Sequence, residues 1–388
     1  MNRLLTAACA AALLVPLSAC SLTQSNKPAA QGGQGTINVD SSSDKCDLTT
    51  SKAPSGNVVF KVKNTGNEVT EFYLYGEDGM RIVGEIENIG PGLSRDLVVR
   101  TPPGKYVTAC KPGMKGQGIR NAFEVTDSGK DTDIKGVDQA AINQATSQYA
   151  AYVKDQSQEL VDQTTEFATL YKNGEDDKAR ALFPLARGHW ERIETVAESF
   201  GDLDPRMDLR EADLEKGQKW TGWHRIEKDL WPPASGYRAM TPAQRATFVD
   251  DLLANTKVLD KRVQTLDYTV DQIGNGSKGL LDEVASGKIT GEEDIWSHTD
   301  LWDFQANVDG ARVGYEGLKP LLDVKDPALS KQIQTAFDAL QVQLDKYKTG
   351  DDSFVFYDKV TEAQRKDLSD AVNALAEPLS KMTGAITL

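Results

Sequence analysis

Histidine is scarce in this chain of 388 residues, which has three, and none precedes position 189. The N-terminal half therefore holds neither a histidine-containing zinc finger nor a copper centre with imidazole ligands. Basic residues are also in the minority, since Lys plus Arg number 44 against 58 Asp plus Glu, for a formal charge of −14. This balance argues against a nucleic-acid partner, because phosphate backbones bind basic surfaces.

Several common catalytic signatures are missing from the sequence. It contains no His-Glu-x-x-His, Gly-x-Ser-x-Gly or phosphate-loop motif, so the usual patterns of metalloproteases, serine hydrolases and NTP-binding proteins are absent. The glycine pattern Gly274-Asn-Gly276-Ser-Lys-Gly279 resembles a dinucleotide fingerprint, but no strand precedes it. We predict a loop at this position rather than a nucleotide site.

The first 20 residues form an export signal: one Arg, an apolar stretch from Leu4 to Val15, and small residues before Cys20. Leu17-Ser18-Ala19-Cys20 is similar to a bacterial lipobox, which predicts cleavage before Cys20 and lipid attachment to its thiol. An ordinary signal peptide with an incidental cysteine is the alternative. The small and polar segment 21–35 is predicted to be a flexible tether between a membrane anchor and the first domain.

Two other cysteines, Cys46 and Cys110, remain in the exported chain. An even pair in an oxidising compartment predicts a disulfide. The alternative is that both thiolates bind a soft metal such as copper, which requires them to be unpaired.

Two parts of the chain follow different periodicities. Between 36 and 127, short runs of β-branched and aromatic residues alternate with turn residues, which predicts an antiparallel β-sandwich of about 90 residues. The six predicted strands are 57–63, 69–75, 80–86, 96–100, 105–110 and 122–126. After a polar linker at 128–136, apolar residues recur at helical spacing, first in a predicted helix of about 30 residues from Ile142. The segment 136–388 is therefore predicted to be an all-helical bundle. Helix starts with capping boxes are predicted at Thr241–Gln244, Thr290–Glu293, Ser297–Asp300 and Thr361–Gln364.

Each of the three histidines has acidic residues close by in the sequence. In a helix, His224 and Glu227 share one face and could chelate one cation. A metal site at His189 would need carboxylates from another helix, because the rotation of the helix turns Glu191 and Glu194 away from His189. A structural alternative is a buried imidazole that bonds an acid and binds nothing. The candidate ligands of this group are His224, Glu227, His189, Glu191, Glu194, His298 and Asp300.

The charge of the chain is concentrated in the predicted helical part. Residues 131–388 carry 46 acidic and 30 basic side chains, a balance of −16. Most of this charge belongs to a solvated surface, but an acidic cleft also attracts cations and gives weak support to metal handling. Imidazole with carboxylates suits borderline metals such as iron and zinc.

Three long segments around the histidines resemble the imelysin-like domain of the EfeO family of bacterial iron-uptake proteins. The resemblance covers most of residues 136–388, and the family's Gly-x-His-x-x-Glu signature falls on Gly222, His224 and Glu227. The resemblance implies metal binding at these residues. The segments are His189-Trp-Glu-Arg-Ile-Glu194 with its continuation to Pro205, Gly222–Trp231, and Gly291–Asp309.

The N-terminal region is similar to the cupredoxin-like domain of the same family, best in the segment Glu85–Gly92. The resemblance implies a copper site at Cys46, Glu71 and Cys110, and a ferric site near Glu85 and Glu87. The family's copper site also uses a Met two residues before the second cysteine, where this chain has Thr108.

The resemblance implies an extracytoplasmic lipoprotein of an EfeUOB-type system that captures iron and delivers it to a membrane permease, with a haem peroxidase as third component. Such a protein is a metal-binding transport component rather than an enzyme. Two alternatives come from other classes. One is a zinc-dependent peptidase with a carboxylate base such as Glu191, and the other is a lipoprotein that binds an acidic polysaccharide through bridging cations.

Overall fold

A two-sheet β-sandwich forms the first region of the computed structural model, which describes residues 36–129 and 133–388. The predicted signal peptide (1–20), the lipidated Cys20 and the tether (21–35) lie outside the described residues. The strands are β1 (Thr36–Ser41), β2 (Cys46–Leu48), β3 (Lys52–Pro54), β4 (Gly56–Asn64), β5 (Thr70–Tyr75), β6 (Ile82–Ile89), β7 (Ser94–Thr101), β8 (Gly104–Pro112) and β9 (Ile119–Thr126).

The two sheets have the strand orders β2-β1-β4-β7 and β3-β9-β8-β5-β6. The predicted sandwich is confirmed, and most neighbouring strands are antiparallel. Two strand pairs depart from the predicted antiparallel arrangement, since β1 pairs parallel with β4 and β3 pairs parallel with β9. The cause is the path of the chain: β3 lies in the other sheet, and β4 then returns beside β1 in the same direction.

The interior of the sandwich follows the period of two in its strands. In β4, Val58, Phe60 and Val62 are fully buried, while the residues between them are more exposed. Cys46 on β2 and Cys110 on β8 are joined in a disulfide, which therefore links one sheet covalently to the other. Both cysteines are buried in the same apolar core.

Helices make up most of the second region. They pack around one apolar core that includes Phe167, Phe183, Trp190 and Trp223. The helices are α1 (Gln139–Lys172), α2 (Asp176–Glu191), α3 (Glu194–Glu198), α4 (Asp204–Met207), α5 (Trp223–Leu230), α6 (Pro242–Val263), α7 (Val270–Ser286), α8 (Asp300–Lys325), α9 (Pro327–Leu344), α10 (Glu362–Leu379) and α11 (Met382–Thr387). None of the described helices is both long enough and apolar enough to cross a membrane.

The structure corrects two details of the sequence predictions and confirms a third. A short hairpin of β10 (Lys348–Gly350) and β11 (Ser353–Phe354) interrupts the bundle, so this region is not wholly helical. The glycine-rich segment from Gly274 to Gly279 is part of α7 and not a loop, and Gly274 allows the helix to pass close to Thr383. The hydrogen bonds expected at the predicted starts of α6 and α10 are present.

The other two predicted capping boxes are not helix starts. Thr290 closes a short 3₁₀ turn, and Glu293 points into a buried polar cluster. The helix that was expected to begin after Ser297 begins at Asp300 with Thr299 as its N-cap residue. Both acidic residues were predicted as capping partners because the spacing fits. Glu293 instead contacts Arg187 and His224, and Asp300 accepts a hydrogen bond from the amide of Asp294.

The sandwich and the bundle belong to one compact unit and meet along α7. The Asn275 side chain on α7 donates a hydrogen bond of 2.8 Å to the backbone oxygen of Val98. The amide of Ile82 at the start of β6 donates to the Ser199 oxygen at 3.2 Å. Strands β6 and β7 thus pack against α7.

Candidate metal centre

His224 occupies its position because the chain turns sharply before α5. Gly222 has φ +90°, a conformation that side chains other than glycine rarely adopt. A Cβ at this position would lie 2.1 Å from the Met207 oxygen, so only glycine permits so close an approach to the end of α4. The imidazole of His224 is consequently held in the core, where it is 2% exposed.

Both ring nitrogens of His224 face a pair of carboxylates. Nδ1 lies 3.1 Å from Oε2 of Glu227 and 3.7 Å from Oδ1 of Asp294. Nε2 lies 3.2 Å from Oε1 of Glu293 and 3.4 Å from Oδ1 of Asp208. Among the described residues, each set has its ligand atoms close enough together to hold one metal ion.

Glu227 is fixed by the segment that leads into α8. Its Oε1 accepts hydrogen bonds from the amides of Trp296 and Ser297, at 2.9 and 2.7 Å, and from the Ser297 hydroxyl at 2.9 Å. The other oxygen, Oε2, is thus directed at His224. Ser297, predicted as a helix cap, instead orients a candidate ligand.

Two buried cations lie among these acids. The guanidinium of Arg187, on α2, forms ion pairs with Glu191 and Asp208 and lies 3.3 Å from both Glu293 and Asp303. The ammonium of Lys288 lies 3.1 Å from Glu191 and from Glu194. We define the His224 cluster as Arg187, Glu191, Glu194, Asp208, His224, Glu227, Lys288, Glu293, Asp294, Asp300 and Asp303, all of which are buried.

Several buried oxygens in and beside the His224 cluster have no hydrogen-bond partner. They are Asp294 Oδ1, Asp300 Oδ2, Asp303 Oδ1 and Asn307 Oδ1. A buried acceptor without a partner is costly, so each requires an explanation such as a bound cation or a proton. Carboxylate and amide oxygens are also the donors that hard cations prefer.

The pKa values in the His224 cluster depend on two effects: burial, which favours the neutral form of each group, and the charges of its neighbours. Burial and Arg187 disfavour the charged ring of His224, but hydrogen bonds to Glu227 and Glu293 outweigh them and raise its pKa to about 10. Burial raises the pKa of Glu227, and the nearby Asp294 raises it further. Burial also opposes ionisation of Glu293, yet Lys288 and His224 hold its pKa well below the usual range. Without metal, the ring is therefore an imidazolium that a metal ion would have to deprotonate.

The other two histidines are not part of any metal-binding group among the described residues. His189 Nδ1 lies 2.9 Å from Oε1 of Gln156, and its Nε2 lies 2.8 Å from Nε2 of Gln163. His298 has φ +60° and lines a separate cavity of about 430 Å³ together with Trp231 and Trp296. The structure thus brings His224, Glu227, Glu191, Glu194 and Asp300 into one cluster and leaves His189 and His298 outside it.

The residues predicted for a second metal site lie in the sandwich. Cys46 and Cys110 are in a disulfide, so in this form neither sulfur is a thiolate that could bind copper. The Tyr73 hydroxyl oxygen lies 2.9 Å from Oε2 of Glu71 and 2.8 Å from Oε1 of Glu87, within hydrogen-bond distance of both carboxyl groups. We define the interface cluster as Glu71, Glu85 and Glu87 of the sandwich together with Glu283 of α7.

Sequence reasoning missed six members of the His224 cluster as candidate site residues: Arg187, Asp208, Lys288, Glu293, Asp294 and Asp303. Glu293 had been explained as a helix-capping residue, and Arg187 carried no metal-binding pattern. The segment from Gly291 to Asp303 offered one usable signal, because many acids there stand next to apolar residues. The acids of a solvated helix face would not need so many apolar neighbours.

Comparison with known proteins supports two domains. The imelysin profile matches residues 145–382, and the cupredoxin-like domain profile matches residues 10–119. The iron uptake system component EfeO of Escherichia coli O157:H7 is 35% identical over 349 residues, which cover 89% of this chain and 89% of that protein.

Two staphylococcal relatives match the chain over a shorter length. An Efem/EfeO family lipoprotein of Staphylococcus haemolyticus (strain JCSC1435) is 46% identical over 251 residues, or 64% of this chain and 85% of its own. Its counterpart in Staphylococcus aureus (strain MRSA252) is 43% identical over 258 residues, or 66% and 88%. This chain therefore belongs to the imelysin family and, with its cupredoxin-like domain, to the EfeO members of that family.

Proposed function

We propose that this chain captures iron outside the cell membrane and is the iron-binding component of an EfeUOB-type uptake system. One observation carries the proposal: each ring nitrogen of His224 meets a pair of carboxylates in a buried site, and each of these two ligand sets can hold one cation. The name of the Escherichia coli relative, an iron uptake system component, supports iron as the cargo.

Imidazole and carboxylate ligands suit both iron and zinc, and zinc is the alternative metal. Acidic oxygens dominate the His224 cluster, and harder cations gain more from them than softer ones do. We therefore propose iron, as Fe²⁺ or Fe³⁺, over zinc. Copper in the sandwich, at Cys46, Glu71 and Cys110, requires the disulfide to be reduced first.

The proposal extends to location and partners. A lipid on Cys20 would hold the chain at the outer side of the cell membrane, periplasmic or cell-surface, as the lipoprotein names of the staphylococcal relatives suggest. There it would pass iron to a membrane permease, and a haem peroxidase would act in the same system. The enclosed position of His224 means that uptake and release both require the surrounding segments to move.

A zinc-dependent peptidase fits the site less well. The candidate base Glu191 is fully buried and forms ion pairs with Arg187 and Lys288, so it has no access to a peptide substrate. Cleavage of a peptide library by the zinc-loaded chain would overturn the transport proposal in favour of a peptidase. A cation-bridged polysaccharide site would instead show polysaccharide binding that a chelator abolishes.

Iron binding by variants of His224 and Glu227 tests the proposal. The full chain, stripped with chelator and titrated anaerobically with Fe²⁺, should bind iron, and the double variant H224A/E227A should weaken this by at least about tenfold. H189Q is the matched control, because His189 lies outside the His224 cluster, and it should bind as the wild type does. Unchanged affinity in H224A/E227A would contradict the proposal.

A further inference from the structure

The two carboxylate pairs around His224 differ in what already occupies them. On the Nε2 side, the Arg187 guanidinium contacts every ligand atom of the set. One of its terminal nitrogens bonds Oδ1 of Asp208 and lies 3.4 Å from His224 Nε2, and the other lies 3.3 Å from Oε1 of Glu293. A cation is therefore already present on this side.

The Nδ1 side has no such occupant. Here the nearest approach of the guanidinium is 3.9 Å, between Nε of Arg187 and Oδ1 of Asp294. That oxygen is fully buried and has no hydrogen-bond partner, although it lies only 3.7 Å from His224 Nδ1. Ligand atoms 3.1 to 3.7 Å apart suit a metal ion at about 2.0–2.2 Å from each.

We propose that Arg187 is a resident cation that fills the Asp208 and Glu293 side of His224 and so directs a single metal ion to the Nδ1 side, between His224, Glu227 and Asp294. The inference rests on the proposed function, because it assigns the side of His224 on which the metal binds. Arg187 is then a specificity-determining residue that sets the number and the position of bound ions.

The physical reason is charge and space. An arginine keeps its charge at any physiological pH, so it cannot vacate the site by losing a proton. A metal ion that bound Asp208 Oδ1 and Glu293 Oε1 would share both oxygens with the guanidinium and would be repelled by it. Arg187 is fully buried, and its ion pairs with Glu191 and Asp208 hold it in place.

Isosteric variants of the two sides distinguish them in the full chain. In anaerobic Fe²⁺ titrations, D294N should weaken the iron affinity by about tenfold or more, because it removes a ligand charge. D208N and E293Q should change the affinity by less than about threefold, since neither residue contacts the metal. Circular dichroism of the metal-free variants checks that each one folds. D208N that weakens binding as much as D294N would overturn the assignment.

Removing the guanidinium provides a second, independent test. In R187Q the Nε2 side becomes available, so we expect tighter iron binding and a new dependence on Asp208, with R187Q/D208N weaker than R187Q by about tenfold. R187K retains the charge, so adding D208N to R187K should not change the iron affinity. If R187Q does not fold, the comparison of D294N with D208N decides alone. A wild-type chain that binds no iron would overturn the proposed function and this inference together, whereas equal losses in D208N and D294N overturn only the inference.

Discussion

The His224 cluster gathers buried acids and the interface cluster gathers buried and half-buried ones, and the two neutralise the charge in different ways. In the His224 cluster, Arg187 and Lys288 lie in direct contact with the carboxylates. In the interface cluster, the nearest cation to Glu71 is Lys111 at 3.9 Å, and Glu87 instead hydrogen-bonds the side chains of Tyr73 and Glu283.

This difference determines how each cluster responds to pH. Burial, together with neighbouring acids, raises the pKa of Glu85 and of Glu87 to about 8. The interface cluster therefore keeps protons at a pH where exposed carboxyls have lost them. Burial also raises the pKa of Glu227 and of Asp303 in the His224 cluster. At Glu293, Lys288 and His224 outweigh burial and hold the pKa well below its usual range. The close cations thus let Glu293 stay ionised, whereas Glu85 and Glu87 keep their protons until the pH approaches 8.

Removing a fixed cation should have the largest effect on stability. K288M leaves Glu194 buried without its cation and leaves Glu191 with Arg187 alone, and we expect a loss of about 3–5 kcal/mol in the free energy of unfolding. Urea denaturation measures the loss, and K319M is the control because Lys319 forms only an exposed pair with Asp323. E194Q in the K288M background should recover part of the stability. Equal stability of K288M and K319M would show that the buried cation is not needed.

Removing the disulfide should come next in size and should spare the His224 cluster. The bridge closes a loop across 64 residues, so C46S/C110S should lower the free energy of unfolding by about 4 kcal/mol. Iron affinity of the folded variant should stay within about twofold of the wild type, because neither cysteine lies near His224. A large loss of iron affinity would show that the sandwich contributes to the helical site.

Replacing a proton-holding acid of the interface cluster should give a pH-dependent gain. A carboxyl with a folded-state pKa of about 8 stabilises the fold at low pH, and this contribution is lost as the pH rises from about 4.5 through 8. E87Q cannot ionise, so in metal-free buffer its Tm should exceed that of the wild type by about a few degrees at pH 9 and by less at pH 5. E124Q, which alters an exposed pair with Lys52, should not show this trend. A pH-independent difference for E87Q would contradict the proton-holding role.

The smallest effect is expected at His189, which lies outside both clusters. Burial, and then Arg192, lower its pKa to about 4, so the folded chain binds its proton less readily than the unfolded chain does. Its contribution to stability is present above pH 6.5 and is lost as the pH falls towards 4. H189Q should therefore be less sensitive than the wild type to acid between these limits, as thermal melts would detect. Identical acid sensitivity of H189Q and the wild type would show that protonation of a group other than His189 causes the loss of stability.

Local patterns predicted the sandwich and the bundle well, because strand alternation and helical spacing are properties of short segments. All six predicted strands have counterparts, from β4 to β9, whereas β1, β2 and β3 were missed. Strands β2 and β3 have three residues each, too few to show a period of two. The parallel pairing of β1 with β4 depends on the path of the chain, which no local pattern contains.

The His224 cluster was predictable only where its members are close in sequence. His224 and Glu227 lie three residues apart on one helix face, and the structure places them in contact. Asp208 and Glu293 reach the same imidazole from segments that are 85 residues apart, so folding alone brings them together. Arg187 could not be predicted for a further reason: the local sequence around a buried arginine does not distinguish it from an exposed arginine.

Anomalous diffraction at the iron absorption edge, from crystals of the iron-loaded chain, tests the central claim most directly. The account predicts one strong peak in the helical domain within coordinating distance of His224 Nδ1, Glu227 and Asp294, with Arg187 still bonded to Asp208. A peak on the Nε2 side, between Asp208 and Glu293, or no peak beside His224 would contradict it.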